Sequence, residues 1–190
     1  PTSANYGKAR PWVAAANGPT SFFETSVGTS NSVYLDGATD KGYFKLGYTK
    51  STDKGLLPNS RINKDLVNFS ASYKLTDKLE AFSAINYTRT AGLGRYGTGY
   101  DSKNQMGSFR QWWQMNVDVK EQQAAYERTK SNITWNWADP TDLVPIYWDN
   151  VYWVREENYQ NDERNRYFGY VGLNYKLTSW LNLMGRVSMD

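Results

Sequence analysis

The most regular feature of the sequence is an alternation of apolar and polar residues near its C-terminal end. From Leu181 to Met189 every second residue is apolar or glycine, and the residues between them are mostly polar. Because successive side chains of a β-strand point to opposite faces, this alternation predicts a strand with one apolar face. A similar alternation runs from Val171 to Tyr175, and residues 177–180 provide a tight connection. The two segments therefore predict a β-hairpin.

Two more hairpins are predicted in the first half of the chain. The segment YKLTDKL at 73–79 resembles the YKLTSWL of residues 175–181 and is likewise flanked by alternating residues. A third hairpin comprises strand residues 32–35 and 43–49, which are joined by a turn at 36–42 that is rich in glycine and aspartate. Together the hairpins predict an all-β, antiparallel fold of about six strands.

The connections at the two ends of these hairpins differ in length. The turns at 36–42, 75–79 and 177–180 are short, whereas the links at about 51–64 and 90–166 are long. Long loops without regular structure are uncommon in compact soluble domains. Short turns at one end and long loops at the other are typical of transmembrane β-barrels, whose strands have about 9–11 residues. The asymmetry therefore favours a segment of a membrane barrel.

The longer link, residues 90–166, holds most of the chain's 8 tryptophans. Aromatic residues make up 16% of the whole chain, and tyrosine and tryptophan suit surfaces that are wet on one side and apolar on the other. Asp118 followed by Glu121 has the spacing of a capping box, which predicts a short helix at 119–130. The link is therefore expected to be a partly ordered, aromatic-rich loop.

The composition excludes several classes of function. Histidine and cysteine are both absent, which excludes Ser-His-Asp and Cys-His catalysis, thiolate metal sites and disulfides. The net charge is +3, and the sequence has no block of lysine and arginine of the kind that binds nucleic acid. No pair of carboxylates stands out as a glycosidase dyad. We therefore expect a protein that is not an enzyme, with no cofactor, no metal and no nucleic-acid partner.

Three aromatic blocks occur together and in a fixed order: FRQWWQ at 109–114, NITWNW at 132–137 and PIYWDN at 145–150. With these blocks the chain resembles the SusC/RagA family of TonB-linked outer-membrane transporters. The resemblance extends over almost the whole chain, from about Phe22 onward. Val151 departs from the pattern, because a proline is expected after PIYWDN. Shorter blocks that support the resemblance are FFET at 22–25, NSV at 31–33, GLLPNS at 55–60 and YKLT at 73–76.

The resemblance implies a barrel of about 22 strands. Residues 1–190 would be a fragment of its wall, with 90–166 as a long extracellular loop. It also implies TonB-driven import of oligosaccharides or peptides across the outer membrane of Bacteroidetes-like bacteria. The partners would be outer-membrane lipid, a SusD-like surface lipoprotein and the TonB complex. Because no plug domain and no signal peptide are recognisable in this chain, contact with TonB would be made through a plug that lies outside it.

The candidate contact residues for a glycan or peptide substrate, or for the lipoprotein, are aromatic side chains of the long loop. Each of them has two interpretations. It can belong to a small core that orders the loop, or it can stack on a sugar ring or face the lipoprotein. The candidates are Trp112, Trp113, Trp135, Trp137, Tyr147, Trp148, Tyr152 and Trp153.

A soluble β-sandwich that binds carbohydrate is the alternative to the barrel. In a barrel the apolar residues of the last hairpin would face lipid, whereas in a sandwich they would face a second sheet. The surroundings of this face therefore decide between the two architectures. The residues concerned are Val171, Leu173, Tyr175, Leu181, Leu183, Val187 and Met189.

Overall fold

The computed structural model describes residues 5–190, which form two compact units. The sheet unit contains Gly28–Asp53, Ile62–Gly92 and Asp162–Asp190. The loop unit contains the described residues up to Val27, together with Lys54–Arg61 and Leu93–Asn161. Both units are therefore assembled from segments that are distant in sequence.

The sheet unit consists of long strands in a single sheet. They are β1 (Val27–Thr39), β2 (Gly42–Lys54), β3 (Arg61–Lys74), β4 (Leu79–Leu93), β7 (Asn161–Lys176) and β8 (Asn182–Met189). The short strands β5 (Trp137–Asp139) and β6 (Asp142–Pro145) belong to the loop unit. The strands follow the order β1-β2-β3-β4-β7-β8, with β1 and β8 as the edges of an open sheet. The predicted all-β fold with antiparallel hairpins is confirmed at this level.

Apart from β8, the strands are longer than the sequence pattern predicts, and the connections between them are correspondingly shorter. The turn between β1 and β2 consists of Asp40 and Lys41 alone, rather than residues 36–42. The link between β2 and β3 is 55–60 rather than 51–64, so it is not a long loop. The predicted strand ends differ from the observed ones because the ends of the strands are polar. Their residues show no apolar alternation, yet their hydroxyl groups form hydrogen bonds to the neighbouring strand. The Ser26 hydroxyl, for example, donates to the Lys54 carbonyl at 2.7 Å.

β7 and β8 pair in the register that their alternation predicts. Val171 lies opposite Val187, and Tyr175 lies opposite Leu183, so both strands place apolar side chains on one side of the sheet. Leu181 is an exception: it precedes β8, and its carbonyl accepts the backbone N–H of Leu177 at 3.0 Å to close the turn. We call this side the apolar face. Its exposed apolar residues on the six strands include Val33, Leu35, Leu46, Phe69, Ile85, Val171, Leu173, Leu183, Val187 and Met189.

The opposite side of the sheet, the polar face, carries paired hydroxyl and amide groups. The hydroxyls of Ser32 and Thr49 lie 2.8 Å apart across β1 and β2. The Asn68 amide donates to the Asn86 amide oxygen at 2.6 Å across β3 and β4. These pairs satisfy the hydrogen-bonding groups of the polar side chains, and nothing else in the sheet unit covers this face.

The apolar face ends in a group of ion pairs, which we call the charged rim: Asp65, Arg89 and Glu163. Arg89 donates to both carboxylate oxygens of Glu163 at 2.9 Å, and its guanidinium lies 4.0 Å from the Asp65 carboxylate. Next to the rim, the rings of Tyr87 and Tyr167 stack with their centroids 4.6 Å apart. The face thus changes from aliphatic to aromatic and then to charged residues along the strands.

The loop unit is built from short elements. They are a 3₁₀ turn (Pro19–Phe22), α1 (Gln105–Gly107), a π turn (Ser108–Trp112), α2 (Val119–Thr129), β5 (Trp137–Asp139), β6 (Asp142–Pro145) and α3 (Val151–Glu156). Of these elements, only α2 is among the predictions, at 119–130. Among residues 5–190, no helix has the length and apolar character that crossing a membrane would require.

α2 begins where the sequence predicts because Asp118 caps it. The Asp118 carboxylate accepts the backbone N–H of Lys120 at 2.8 Å and that of Glu121 at 3.3 Å. Burial opposes ionisation of this carboxyl, but these bonds and others from Asn17 outweigh it and lower its pKa. In a complete capping box the Glu121 carboxylate would accept the backbone N–H of Asp118. Here it accepts a hydrogen bond from the Arg10 guanidinium at 2.6 Å instead.

Candidate functional site

The loop unit has its own aromatic core. Phe22 is its central ring, and the edges of Phe109 and Tyr152 approach it with centroid distances of 5.1 Å each. Phe22 comes from the N-terminal part of the chain, whereas the other two rings come from the long loop. The buried core residues are Phe22, Val119, Tyr126, Val151 and Tyr152, with Phe23, Leu57, Phe109, Trp113 and Trp153 packed against them.

Three of the predicted contact residues lie in or against this core. Tyr152 is buried, and burial raises the pKa of its hydroxyl to about 12. Trp113 packs on Phe109 with the ring centroids 4.9 Å apart, and its indole N–H donates to the Val117 carbonyl at 3.2 Å. Trp153 is half-buried at the edge of the core. Their positions are those expected of residues that order the loop.

Trp135 extends the same packing outward. Its ring meets Trp113 edge to face at a centroid distance of 6.0 Å, and its backbone N–H donates to the Gln122 side chain at 3.1 Å. Its indole N–H is buried and has no hydrogen-bond partner among the described residues. Trp135 therefore connects the core to α2.

A second aromatic group lies at the surface of the loop unit, and we call it the outer cluster: Tyr100, Trp112 and Trp148. Trp148 is only 7% exposed, whereas Trp112 is 43% and Tyr100 is 77% exposed. The rings of Trp112 and Trp148 stack at 6.2 Å between centroids, and Tyr100 meets Trp148 edge-on at 6.1 Å. The buried indole thus supports two exposed rings, which lie nearly perpendicular to each other at 86° and form an apolar surface in contact with water.

No family model and no curated protein matches the chain. Exposed rings with a fixed support can stack on a flat apolar partner without losing much side-chain entropy. Within residues 5–190, no group of three acidic side chains is arranged as a metal site would require. The exposed rings of the outer cluster offer aromatic contact area.

The last two candidates, Trp137 and Tyr147, do not join either aromatic group. Trp137 is 39% exposed and lies on β5, where it lines a separate cavity. Tyr147 is 76% exposed, and its backbone N–H donates to the Asn136 side chain at 3.1 Å. The eight candidates are thus divided among the core, the outer cluster, the cavity and the open surface.

Two important residues of the loop unit were not among the predictions. Tyr100 lies in a glycine-rich stretch that has no periodic signal, so its place in the outer cluster could not be read from the sequence. Asn150 is fully buried and caps α3 by accepting the backbone N–H of Tyr152 at 2.9 Å. Its amide also donates to the Ile133 carbonyl at 2.7 Å. Asp149 and Asn150 directly precede the helical segment VYWVRE, and Asp or Asn at this position is the sequence signal of an N-cap that could have indicated the role of Asn150.

Arg155 is a third residue that the sequence analysis missed. It is 2% exposed, and burial lowers the pKa of its guanidinium. The guanidinium donates to the carbonyls of Pro58 at 2.8 Å and Gly94 at 2.6 Å, and more weakly to that of Asn59 at 3.3 Å. Gly94 has φ +67°, and a Cβ there would lie 1.9 Å from the Asn59 carbonyl oxygen. Arg155 therefore holds three backbone segments together: its own helix α3, the segment of Pro58 and Asn59, and the segment of Gly94.

Proposed function

We propose that this chain is a segment of the barrel wall of an outer-membrane importer that resembles the SusC/RagA family. In this proposal the apolar face contacts lipid and the polar face lines the interior. The loop unit is extracellular, where its aromatic surface meets a glycan or peptide substrate or a SusD-like lipoprotein. The observation that carries the proposal is the exposed apolar face, which is bordered by stacked tyrosines and then by the charged rim.

The apolar face has no cover within the sheet unit. Val187 is 72% exposed and Val33 is 70% exposed, at opposite edges of the same sheet. Monomeric soluble proteins rarely leave so extended an apolar surface in water, whereas a bilayer solvates it. The exposure therefore favours a lipid environment.

The length of the apolar stretch supports the same proposal. On β7 it extends from Tyr167 to Tyr175, which is about 26 Å along the strand and about 20 Å across a membrane at the usual strand tilt. The apolar band of outer-membrane barrels is about 25 Å tall and is bordered by aromatic girdles. Tyr87 and Tyr167 would form part of one girdle, and Tyr73 and Tyr175 part of the other. The charged rim would then lie just outside the hydrocarbon.

The sheet topology favours the barrel wall over the carbohydrate-binding β-sandwich. A sandwich divides its strands between two sheets that cover each other's apolar sides. Here all six long strands lie in one sheet. The edge strands of an open sheet have unpaired backbone N–H and C=O groups, and lipid tails cannot form hydrogen bonds with them. The proposal therefore also requires further strands that pair with β1 and β8.

Labelling of single cysteines tests which face meets lipid. We expect an environment-sensitive fluorophore at Leu173→Cys to be quenched by lipid-borne nitroxides, because Leu173 lies on the apolar face. The same fluorophore at Asn174→Cys, on the polar face, should be quenched by a water-soluble agent instead. The measurement uses the complete protein that contains this chain, in native outer membranes. This chain contains no native cysteine, and any cysteine elsewhere in the complete protein is replaced before labelling.

The two labels control for each other, since they are adjacent in sequence and differ only in the face they occupy. Equal access of both labels to the water-soluble quencher would contradict the membrane assignment. Exchanged behaviour, with position 174 in lipid, would mean that the two faces are assigned the wrong way round.

The outer cluster is tested by removing its exposed indole. We expect Trp112→Ala to reduce substrate uptake or lipoprotein binding about tenfold, as loss of a contact aromatic often does. The amount of protein in the membrane should not change, because Trp112 is 43% exposed. Uptake, lipoprotein pull-down and protein level are measured in the same cells.

Trp180→Ala is the matched control for this experiment. Trp180 is 79% exposed and lies in the turn between β7 and β8, outside the loop unit. Its removal should affect neither uptake nor lipoprotein binding. If Trp112→Ala acts only by lowering the protein level, the outer cluster is a scaffold and not a contact surface.

A further inference from the structure

Asn17 and Gly18 form the only Asn-Gly dipeptide of the chain. The side-chain amide of asparagine is chemically labile, because the backbone nitrogen of the next residue can attack it. Glycine in the next position favours this attack, since it has no side chain to shield the nitrogen. The sequence at 17–18 therefore has the composition of a deamidation site.

The reaction at this dipeptide has two steps. The backbone nitrogen of Gly18 forms a bond to Cγ of Asn17, and the bond from Cγ to Nδ2 breaks. Nδ2 leaves as ammonia and takes the proton of the backbone nitrogen with it. Water then opens the resulting succinimide ring, which leaves aspartate or isoaspartate at position 17. Water is the only co-reactant, so the reaction requires no enzyme.

Asn17 attaches the N-terminal segment, residues 5–17, to the start of α2 through three hydrogen bonds, which we call the latch. Its backbone N–H and its side-chain amide both donate to the Asp118 carboxylate, at 3.2 Å and 2.9 Å. Its backbone carbonyl accepts the N–H of Val119 at 2.9 Å. Asp118 caps α2 and Val119 is buried, so the latch connects the segment to the core of the loop unit.

The latch restrains the groups that would have to react. Succinimide formation requires the Asn17 amide and backbone to rotate toward the Gly18 nitrogen, whereas the latch holds both in one conformation. Hydrogen bonds to a charged acceptor such as the Asp118 carboxylate are among the stronger ones in proteins. The reaction is therefore expected to be slow while the loop unit is folded and to proceed when it opens locally.

The backbone at position 18 does not require glycine. Gly18 has a φ of −74°, which any residue can adopt. A Cβ at this position would meet no other atom within 4 Å. Glycine thus makes Asn17 more reactive here without serving the local backbone geometry, and alanine can replace it as a control.

Deamidation would change the latch from an attraction to a repulsion. The new carboxylate at position 17 would take the place of an amide that donates to the Asp118 carboxylate. Two ionised carboxylates at that separation repel each other. The 3₁₀ turn that ends in Phe22 directly follows the dipeptide, so a displaced segment would also disturb the central ring of the core.

We propose that Asn17 is a modification site: the Asp118 carboxylate protects it from deamidation while the loop unit is folded, and its deamidation detaches the N-terminal segment from α2. Each opening of the loop unit would then carry the risk of a lasting covalent change. The inference is independent of the proposed importer, since it concerns contacts within the loop unit alone.

Peptide mass spectrometry over time measures the modification of the complete protein, folded in detergent or unfolded in guanidinium chloride. We expect aspartate and isoaspartate to form at position 17 at least about tenfold faster in the unfolded protein, because one charged hydrogen bond accounts for about that factor. In Gly18→Ala the reaction should be slow in both states, since the methyl group shields the backbone nitrogen. Equal rates in the two states, or no modification of the unfolded chain, would overturn the proposal.

Limited proteolysis tests the consequence of the modification. Asn17→Asp reproduces the aspartate product, and we expect protease to cleave residues 5–17 at least about tenfold faster in this variant. Asn17→Asp combined with Asp118→Asn exchanges the amide and the carboxylate, and asparagine also caps helices well, so this double variant should regain most of the resistance. If Asn17→Asp resists protease like the unaltered protein, or if the double variant is cleaved as fast as the single one, repulsion at the latch is not what detaches the segment and the proposal fails.

Discussion

If the apolar face meets lipid as proposed, Val187→Arg is expected to destabilise the protein by about 2–4 kcal/mol, the cost of a cation at the midplane of a barrel's lipid face. Val187 lies opposite Val171, midway between Tyr167 and Tyr175 on the neighbouring strand. If the two tyrosines mark the membrane interfaces, Val187 is as far from water as any residue of β8. An arginine side chain there cannot easily reach either interface.

Ser188→Arg is the matched control, because Ser188 lies opposite Tyr170 on the polar face. We expect it to cost much less than Val187→Arg. The free energies of unfolding are compared by urea titration in lipid vesicles, and the yield of folded protein in the outer membrane provides a second readout. Equal costs for the two variants would contradict the assignment of the faces.

Arg155→Met is expected to destabilise the loop unit by about 3 kcal/mol, because it leaves buried carbonyls of Pro58 and Gly94 without a donor. Methionine retains the length of the side chain, so the loss of packing is small. The effect should be local: segments 54–61 and 93–161 become sensitive to protease, and the sheet does not.

Limited proteolysis with mass spectrometry measures this effect, and tryptophan fluorescence during urea unfolding gives its size. Arg110→Met is the control, since Arg110 is exposed and substitutions at such positions usually change stability by less than about 0.5 kcal/mol. If Arg155→Met behaves like Arg110→Met, Arg155 does not hold the three segments together.

The sequence predicts the hairpins well because their signal is local. The alternation from Val171 to Tyr175 and from Leu183 to Met189 determines which side chains share a face, and the observed register agrees with it. The helix at α2 was predicted for a similar reason, since Asp118 and the residues it caps are neighbours in sequence. Strand ends were predicted poorly where Ser, Thr and Asp continue the ladder without apolar alternation, as in β2 up to Lys54.

The architecture of the loop unit depends on contacts that no local pattern contains. Phe22 packs against Tyr152, and Arg155 reaches Pro58, which is 97 residues away. The sequence indicates that the aromatic residues are concentrated between 109 and 153, but it does not indicate which rings are buried. Trp112 and Trp113 are adjacent, yet one joins the outer cluster and the other packs against the core.

The discontinuity of the loop unit also determines the order in which the molecule can fold. Phe22 has no Tyr152 to pack against until most of the chain has been synthesised, and closing so long a loop is entropically costly. The β1–β2 hairpin reduces that cost, since it brings residues 26 and 54 into hydrogen-bonding contact through local pairing. We therefore expect the hairpins to form first and the loop unit to acquire its structure last. In that order, the loop unit would be the part of the chain that remains open longest to chaperones and proteases during biogenesis.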